Sequence, residues 1–516
     1  MSVHHLLENA AQSSPRATAV RHRQISRDWR ALRDRVARRA ATLRAQGAVA
    51  GDRVAVLAAN VPEHLEALFA VLWAGLVLVP LNTRLAAAEQ RYILGHAGCT
   101  RLWHDDRNAA RAGQLASACP GLVTTHLESI DAWDSELDSL RGQPGLDFAP
   151  ARPRAPAAIV YTGGTTGLPK GVELSHDALL LQALAAKDKF RLLESTVFAH
   201  TAPMFHVADF TAGLGVTAAA ARHCFLPEFS PAALLDEIER ESVDVAILVP
   251  TMITATLDGA RDRPGIVQRL RTILYGAAPI QEPVLRRLMR EAPGVGLIQV
   301  YGQTEVGGAC TMLEERHHVL EGPGAGKLGS AGRAIPAFTV RIADDAGREL
   351  EPGRTGEILV SGPGVMTSYW NDPELTARTL RDGWLHTGDL GMRDEDGFVS
   401  VVGRLKDMII SGGENVFAGE VENALMHHDG VQAAAVIGVP DPTWGEAVHA
   451  VVVVKPGRAV SEAELVEHCR ARIARYKCPR SISLRTSPLP MSSVGKIRKV
   501  DLLAEWTQAH SQRSES

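Results

Sequence analysis

An apolar run, AAIVY at residues 157 to 161, passes directly into TGGTTGLPKG, and few backbone arrangements accommodate that junction. The apolar run predicts a buried strand that delivers a loop to a sheet edge. Gly163, Gly164 and Gly167 clear side chains from a place where successive N–H groups can converge, and they permit φ values that other residues avoid. Thr162 opens the loop, Thr165 and Thr166 add hydroxyl donors, and Lys170 adds a positive charge. The combination reads as a strand-to-loop cradle for a polyphosphate. A glycine-rich turn with ordinary surface threonines is the plain alternative. A Walker loop is excluded, because Gly171 follows Lys170 where a metal-binding hydroxyl would have to stand.

At 516 residues the chain exceeds one compact core, and three or four structural units are expected. Charged residues make up 22% and hydrophobic ones 45%, an ordinary globular balance. A net charge of −4 gives no general attraction to nucleic acid or acidic lipid. The first twenty residues lack a basic segment followed by an apolar core, so no secretory signal and a cytoplasmic location are expected. The longest apolar stretch, residues 67 to 81, is shorter than a bilayer span and ends in VPLN, which predicts a buried helix running into a strand. Six cysteines without a CxxC pair read as reduced structural thiols.

The first 150 residues alternate helical patterns with short apolar strands such as RVAVLAAN, a layered α/β signature. FAPARPRAPAA, residues 148 to 158, reads as a connector. Ser230 and Pro231 predict a helix start, and VDVAILVP a strand after it. From about residue 326 to 403, short strands with frequent Gly, Pro and Asp predict a small β-rich subdomain. After GRLKD the helices return and predict a separate domain of roughly 110 residues. Its helix after Ser461 carries a capping box with Glu464, and Leu465, Val466, Cys469 and Ile473 should face inward.

Six motifs follow one another in order: YTGGTTGLPKG, YGAAPI, YGQTE, GWLHTGDLG, GRLKDMIISGGENV and PMSSVGKIRK. Together they resemble the acyl-adenylate-forming superfamily, which includes acyl-CoA synthetases, adenylation domains of peptide synthetases and firefly luciferase. The resemblance spans nearly the whole chain. It implies a large N-terminal domain of layered α/β subdomains plus a small β-rich subdomain, residues 1–403. A hinge at 404–407 and a small mobile α+β C-terminal domain at 408–516 complete it.

Physically, Glu305 is a hard carboxylate suited to Mg²⁺ and Thr304 a hydroxyl suited to phosphate, and the resemblance assigns them those roles. It makes Tyr301 the residue stacked on adenine and YGAAPI, with Gly276, Ala277 and Ala278, a wall of the adenine pocket. Asp389 has two acceptor oxygens that match both ribose hydroxyls, and Arg404 corresponds to a second ribose contact. Lys406 corresponds to the pivot. Lys496 corresponds to the lysine that contacts carboxylate and α-phosphate during adenylation. Ser411, Gly412, Gly413 and Glu414 correspond to the face that admits coenzyme A after rotation. Three departures stand out: Gly163 replaces a usual serine, Ala418 and Gly419 a proline-containing pair, and Val494 a frequent threonine. The first removes a phosphate-facing hydroxyl and predicts altered ATP contacts.

His206 falls in the pocket-gating segment where amino-acid-activating domains carry an aspartate, which argues against an α-amino acid. Val207, Phe210, Met252 and Met312 are expected apolar liners for an alkyl or aryl carboxylate. VPTMI with YGAAPI resembles bacterial fatty-acyl-CoA synthetases, and IISGGENV is similar in aryl-CoA ligases. The expected activity is an ATP-dependent carboxylic acid:CoA ligase on a medium- or long-chain fatty acid. An aryl or alicyclic acid, or loading of a carrier protein, is the alternative. Expected partners are ATP, Mg²⁺, coenzyme A and a small carboxylic acid, without nucleic acid or an integral membrane segment; a homodimer is allowed.

Overall fold

The computed structural model describes residues 2–128, 154–163, 168–278, 280, 282–491 and 497–514. Among those residues, nine strands form one sheet, in the order Arg333–Ala334, Thr311–Leu313, Gly296–Tyr301, Thr272–Gly276, Val245–Ile247, Val197–His200, Arg222–Phe225, Thr18–His22 and Ile25–Asp28. Its middle is parallel, and antiparallel strands close both edges. Seven strands form a second sheet, in the order Ser368–Tyr369, Lys170–Ser175, Pro156–Thr162, Val77–Pro80, Arg53–Leu57, Arg101–His104 and Val123–His126.

One continuous core joins the two sheets. Val20 and Phe198 of the first meet Val54 and Ala158 of the second through Trp29, Leu68, Leu179 and Leu214 on four helices. Every residue of the helix Pro62–Trp73 is buried, as a helix covered on both sides requires, and it runs into the strand Val77–Pro80 as the apolar stretch predicts. The helix Pro231–Glu241 starts where expected, with Ser230 Oγ accepting from Ala233 N at 3.1 Å.

Apart from Ser368–Tyr369, the strands between residues 339 and 404 build a third, antiparallel sheet, with one short helix, Pro373–Thr379, in the same stretch. Its last strand, Val399–Arg404, pairs Arg404 with Asp389. A single turn, Leu405–Asp407, then leads to Met408–Ser411, the first strand of a separate five-stranded sheet. That last sheet has its own core, in which Leu465 and Cys469 are fully buried and Val466 and Ile473 pack alongside. Ser461 and Glu464 form both bonds of the capping box, at 3.2 and 3.4 Å.

One local expectation is corrected. The connector ends earlier than residue 158, because Pro156 opens a strand; a strand's first residue is where a missing N–H is tolerated. The strand expected before the glycine-threonine segment is Pro156–Thr162, and Lys170 begins the strand Lys170–Ser175, antiparallel to it.

Candidate active site

Tyr301, Asp389 and Arg404, far apart in sequence, meet at the junction of the first and third sheets. Tyr301 ends its strand and donates its hydroxyl to Asp389 Oδ2 at 2.9 Å. Arg404 Nε donates to Asp389 Oδ1 at 2.9 Å, across the register that pairs them. Asp389 is 4% exposed, so both charge-assisted bonds act away from bulk water. Burial and the Asp389 carboxylate push the Tyr301 phenol well up, which keeps it a donor. The turn before Asp389 is fixed independently: Glu357 Oε1 accepts from Gly388 N at 2.9 Å and its other oxygen contacts His386 Nδ1 at 2.7 Å. Glu357 lay unnoticed in GEILVSGPG, which the sequence presents only as a strand.

Glu305 lies on the single turn Thr304–Val306 and is buried, with Oε1 accepting from the Tyr369 hydroxyl at 2.7 Å. Lys170 Nζ stands 5.6 Å from the centre of the Tyr369 ring, so the loop's lysine and the acidic turn are neighbours across one aromatic side chain. Gln182 secures the turn from below, donating to Val306 O at 2.6 Å and Ala309 O at 2.8 Å. Neither Tyr369 nor Gln182 sits in a recognisable motif, and their roles depend on contacts 64 and 124 residues away.

Gly276 ends the strand Thr272–Gly276, paired with Val300, and Ala277 follows it. A Cβ on Gly276 would lie 2.3 Å from Val300 O, and Ala277 holds φ +64°, a region side chains disfavour. Gly276→Ala is therefore expected to force adjacent strands apart at a cost of about 1–3 kcal/mol. A lowered Tm, with an ATP KM raised about tenfold, would be the readout.

One cleft runs past these groups. Thr162, Gly163, Lys170, Ala278, Thr304 and Lys406 line it together with Tyr301, Glu305, Asp389 and Arg404, and it continues to His206, Val207, Met252 and Met312. Burial pulls the Lys406 ammonium down, opposed by Asp407, with Arg404, Asp389 and Lys170 also close enough to act on it. Phe210 is a correction: it is buried in the main core and does not line the cleft. On its helix, Val207–Ala218, the cleft face carries Val207, Ala208, Thr211 and Ala212, and position 210 points roughly 130° from the middle of that face.

Asn60 was also missed. It ends the apolar run RVAVLAAN, yet its amide donates to His200 O at 2.9 Å and Ala202 O at 2.8 Å and accepts from Met204 N at 2.9 Å. These bonds pin the segment leading into His206.

Ser411, Gly412, Gly413 and Glu414 lie outside the cleft lining. Ser411 pairs with Glu414, and the two glycines between them, with φ +63° and +83°, form a tight hairpin turn. The Trp444 ring lies over Gly412, where a Cβ would be 2.5 Å away. Ile497, Arg498, Lys499 and Val500 do line the cleft. Gly164, Thr165, Thr166, Gly167 and Lys496 lie outside the described residues. Of the departures, Gly163 sits at the cleft end of its strand, and Gly419 would place a Cβ 3.1 Å from Val402 O.

Residues 7–370 match the model of the AMP-binding enzyme family, and residues 420–496 match that of the AMP-binding enzyme C-terminal domain. The chain belongs to the AMP-binding enzyme family. This AMP-binding enzyme is 41% identical over 492 residues to a feruloyl-CoA synthase of Amycolatopsis sp, covering 95% of this chain and 96% of the relative. It is 36% identical to an indoleacetate–CoA ligase of Aromatoleum aromaticum, over 97% and 98% of the two chains. Among solved structures it is similar to ATP-bound MatB from Rhodopseudomonas palustris, with TM-score 0.87, 30% identity and coverage of 98% and 99%. The superfamily, the layered α/β fold and the acid–thiol ligase class expected from the motifs all stand.

Proposed function

We propose that this AMP-binding enzyme is a carboxylic acid:CoA ligase that forms acyl-AMP and pyrophosphate, then acyl-CoA and AMP, on an apolar aryl-bearing acid. The observation that carries the reading is the cleft that joins Tyr301, Asp389 and Glu305 to His206 and the apolar side chains Val207, Met252 and Met312. The feruloyl and indoleacetate relatives favour an aryl acid. The likeness of VPTMI and YGAAPI to fatty-acyl-CoA synthetases favours a fatty acid as the second reading.

In the first half-reaction a carboxylate oxygen attacks the α-phosphorus and the bond to pyrophosphate breaks. Lys170 and the glycine-threonine loop hold the phosphates; Asp389 and Arg404 hold the ribose. Each Asp389 oxygen keeps a second lone pair for a ribose hydroxyl beside the bond it already accepts. Tyr301, with Gly276, Ala277 and Ala278, walls the adenine, and Lys496 meets the carboxylate and α-phosphate. The buried Glu305 carboxylate is a hard anionic donor that would hold a magnesium ion, and the Thr304 hydroxyl beside it would contact the phosphate. Bound there, the ion supplies neutralisation of charge on the leaving pyrophosphate.

In the second half-reaction the sulfur of coenzyme A attacks the acyl carbon, the bond to AMP breaks, and the thiol proton passes to solvent. We assign the pivot to Lys406, between the last strand of residues 1–403 and the sheet of 408–516; rotation there brings Ser411 to Glu414 to the cleft. No helix of the described residues is long and apolar enough to cross a membrane, and we place the enzyme in the cytoplasm.

Isotope exchange between pyrophosphate and ATP, run acid by acid with aryl, fatty and amino acids, tests the first step without coenzyme A. Exchange driven best by aryl acids supports the reading, and fatty acids in the lead would establish the second. Gly412→Leu, forced into a left-handed φ against Trp444, is expected to slow thioester formation about tenfold or more while exchange stays within about twofold. Equal losses in both steps would remove the assignment of Gly412 to the second step.

A further inference from the structure

Behind the cleft wall, four side chains with no assigned role form a hydrogen-bonded line inside the core. Asp209 and Thr217 stand on the helix Val207–Ala218, His200 ends the strand Val197–His200, and His223 lies on Arg222–Phe225. All four are fully buried. Asp209 Oδ1 contacts His200 Nδ1, His200 Nε2 lies 2.9 Å from His223 Nδ1, and His223 Nε2 lies 3.2 Å from Thr217 Oγ.

The protons along this line can be placed by elimination. Thr217 donates its one hydroxyl proton to Gly213 O at 3.1 Å, so it accepts from His223 Nε2–H. His223 Nδ1 is then bare and accepts from His200 Nε2–H. One shared proton is left between His200 Nδ1 and Asp209, and the pair is neutral overall. The opposite direction would leave an uncompensated carboxylate in the core. The His200 and His223 rings lie edge to edge, nearly coplanar, as their hydrogen bond requires, the Phe225 ring is nearly parallel to His200 with centroids 4.8 Å apart, and a Cβ on Gly213 would lie 3.0 Å from His200 Cε1, so the helix is held close to the rings.

This line ties together the two pieces that form the acyl side of the cleft. The face of the helix that turns away from Asp209 carries Val207, Ala208, Thr211 and Ala212 along the cleft. The chain leaving His200 runs directly to His206 and is pinned by Asn60. Among the described residues Asp209 Oδ2 has no hydrogen-bond partner in this buried place, a standing cost that an apolar residue would avoid. We propose that Asp209, acting through His200 and together with Asn60, is a positioning residue that sets the spacing between helix Val207–Ala218 and the His206 segment, and so sets which acids fit. The proposal rests on the reading that this region of the cleft takes the acid.

The test compares Asp209→Asn, Asp209→Leu, Asn60→Ala and Ala212→Phe across carboxylic acids of graded size, measuring acid KM, ATP KM, kcat and Tm. Asparagine can donate Nδ2–H to the bare Nδ1 of neutral His200, so Asp209→Asn should keep acid KM and size preference within about twofold. Asp209→Leu should raise acid KM about tenfold and flatten the size preference, with ATP KM unchanged. If that variant fails to fold, Asn60→Ala should show the same split. An Asp209→Leu, or in its place an Asn60→Ala, that lowers only Tm overturns the proposal, as does an Asp209→Asn as impaired as the leucine variant. Ala212→Phe separates the positioning role from the acyl assignment beneath it. If it alters acid preference while the Asp209 and Asn60 variants do not, the positioning role fails and the acyl wall stands; if none alters it, the acyl assignment itself is wrong.

Discussion

Glu305→Gln is expected to lower acyl-AMP formation roughly 10²–10³-fold and to shift the Mg²⁺ concentration needed for half-maximal rate upward. Glutamine keeps the shape of the side chain and can still accept the Tyr369 hydroxyl, so the turn Thr304–Val306 should remain in place. What it loses is charge. A buried carboxylate held at one oxygen by a phenol is a rigid anionic donor, and a neutral amide is a poor ligand for a hard divalent ion. The neighbouring tyrosine phenol is pushed up by burial and by Glu305 itself, so it stays protonated and gives no substitute charge. Pyrophosphate exchange measured across a Mg²⁺ titration checks this. An unchanged Mg²⁺ dependence would remove Glu305 from metal binding.

Lys496→Ala should separate the two halves of the reaction. Acyl-AMP formation is expected to fall roughly 10²–10³-fold, because a cation that meets charge developing at the α-phosphate acts mainly in the transition state. Thioester formation from supplied acyl-AMP and coenzyme A is expected to stay within about twofold of the parent. The neighbouring residues Ile497 to Val500 line the cleft, while Ser411 to Glu414 do not. Equal impairment of both halves would contradict a role confined to adenylation.

Much of the fold was legible because its signals are local. The capping box at Ser461, the Ser230–Pro231 helix start and the buried run into Val77–Pro80 each depend on residues a few positions apart. That Tyr301, Glu305, Asp389 and Arg404 line one cleft was foreshadowed for a different reason: their motifs stand in an order that few other tasks require. Geometry between distant segments was not legible. Asp389 looked like a free pair of acceptors, and the structure shows both oxygens already engaged by Tyr301 and Arg404. Phe210 reads as a pocket liner by its position in the segment after His206, but a helix divides its faces by angle rather than by sequence distance, and the phenylalanine falls on the core side. Asn60 bonds mostly to backbone, and Asp209 bonds to a histidine on another element, so neither leaves a motif behind. The strand at Pro156 escaped because proline argues against strand interiors and says little about their first residue.

The most direct test of the central claim follows all products at once. Purified enzyme with Mg·ATP, coenzyme A and one aryl or fatty acid at a time should yield AMP, pyrophosphate and an acyl-CoA in equal amounts by mass spectrometry. No AMP should form without the acid. Release of ADP and phosphate instead, or no AMP with any acid while the enzyme still binds ATP, would contradict an AMP-forming acid:CoA ligase. Acyl-AMP that accumulates while coenzyme A stays unused would contradict coenzyme A as the acceptor and point to a carrier protein.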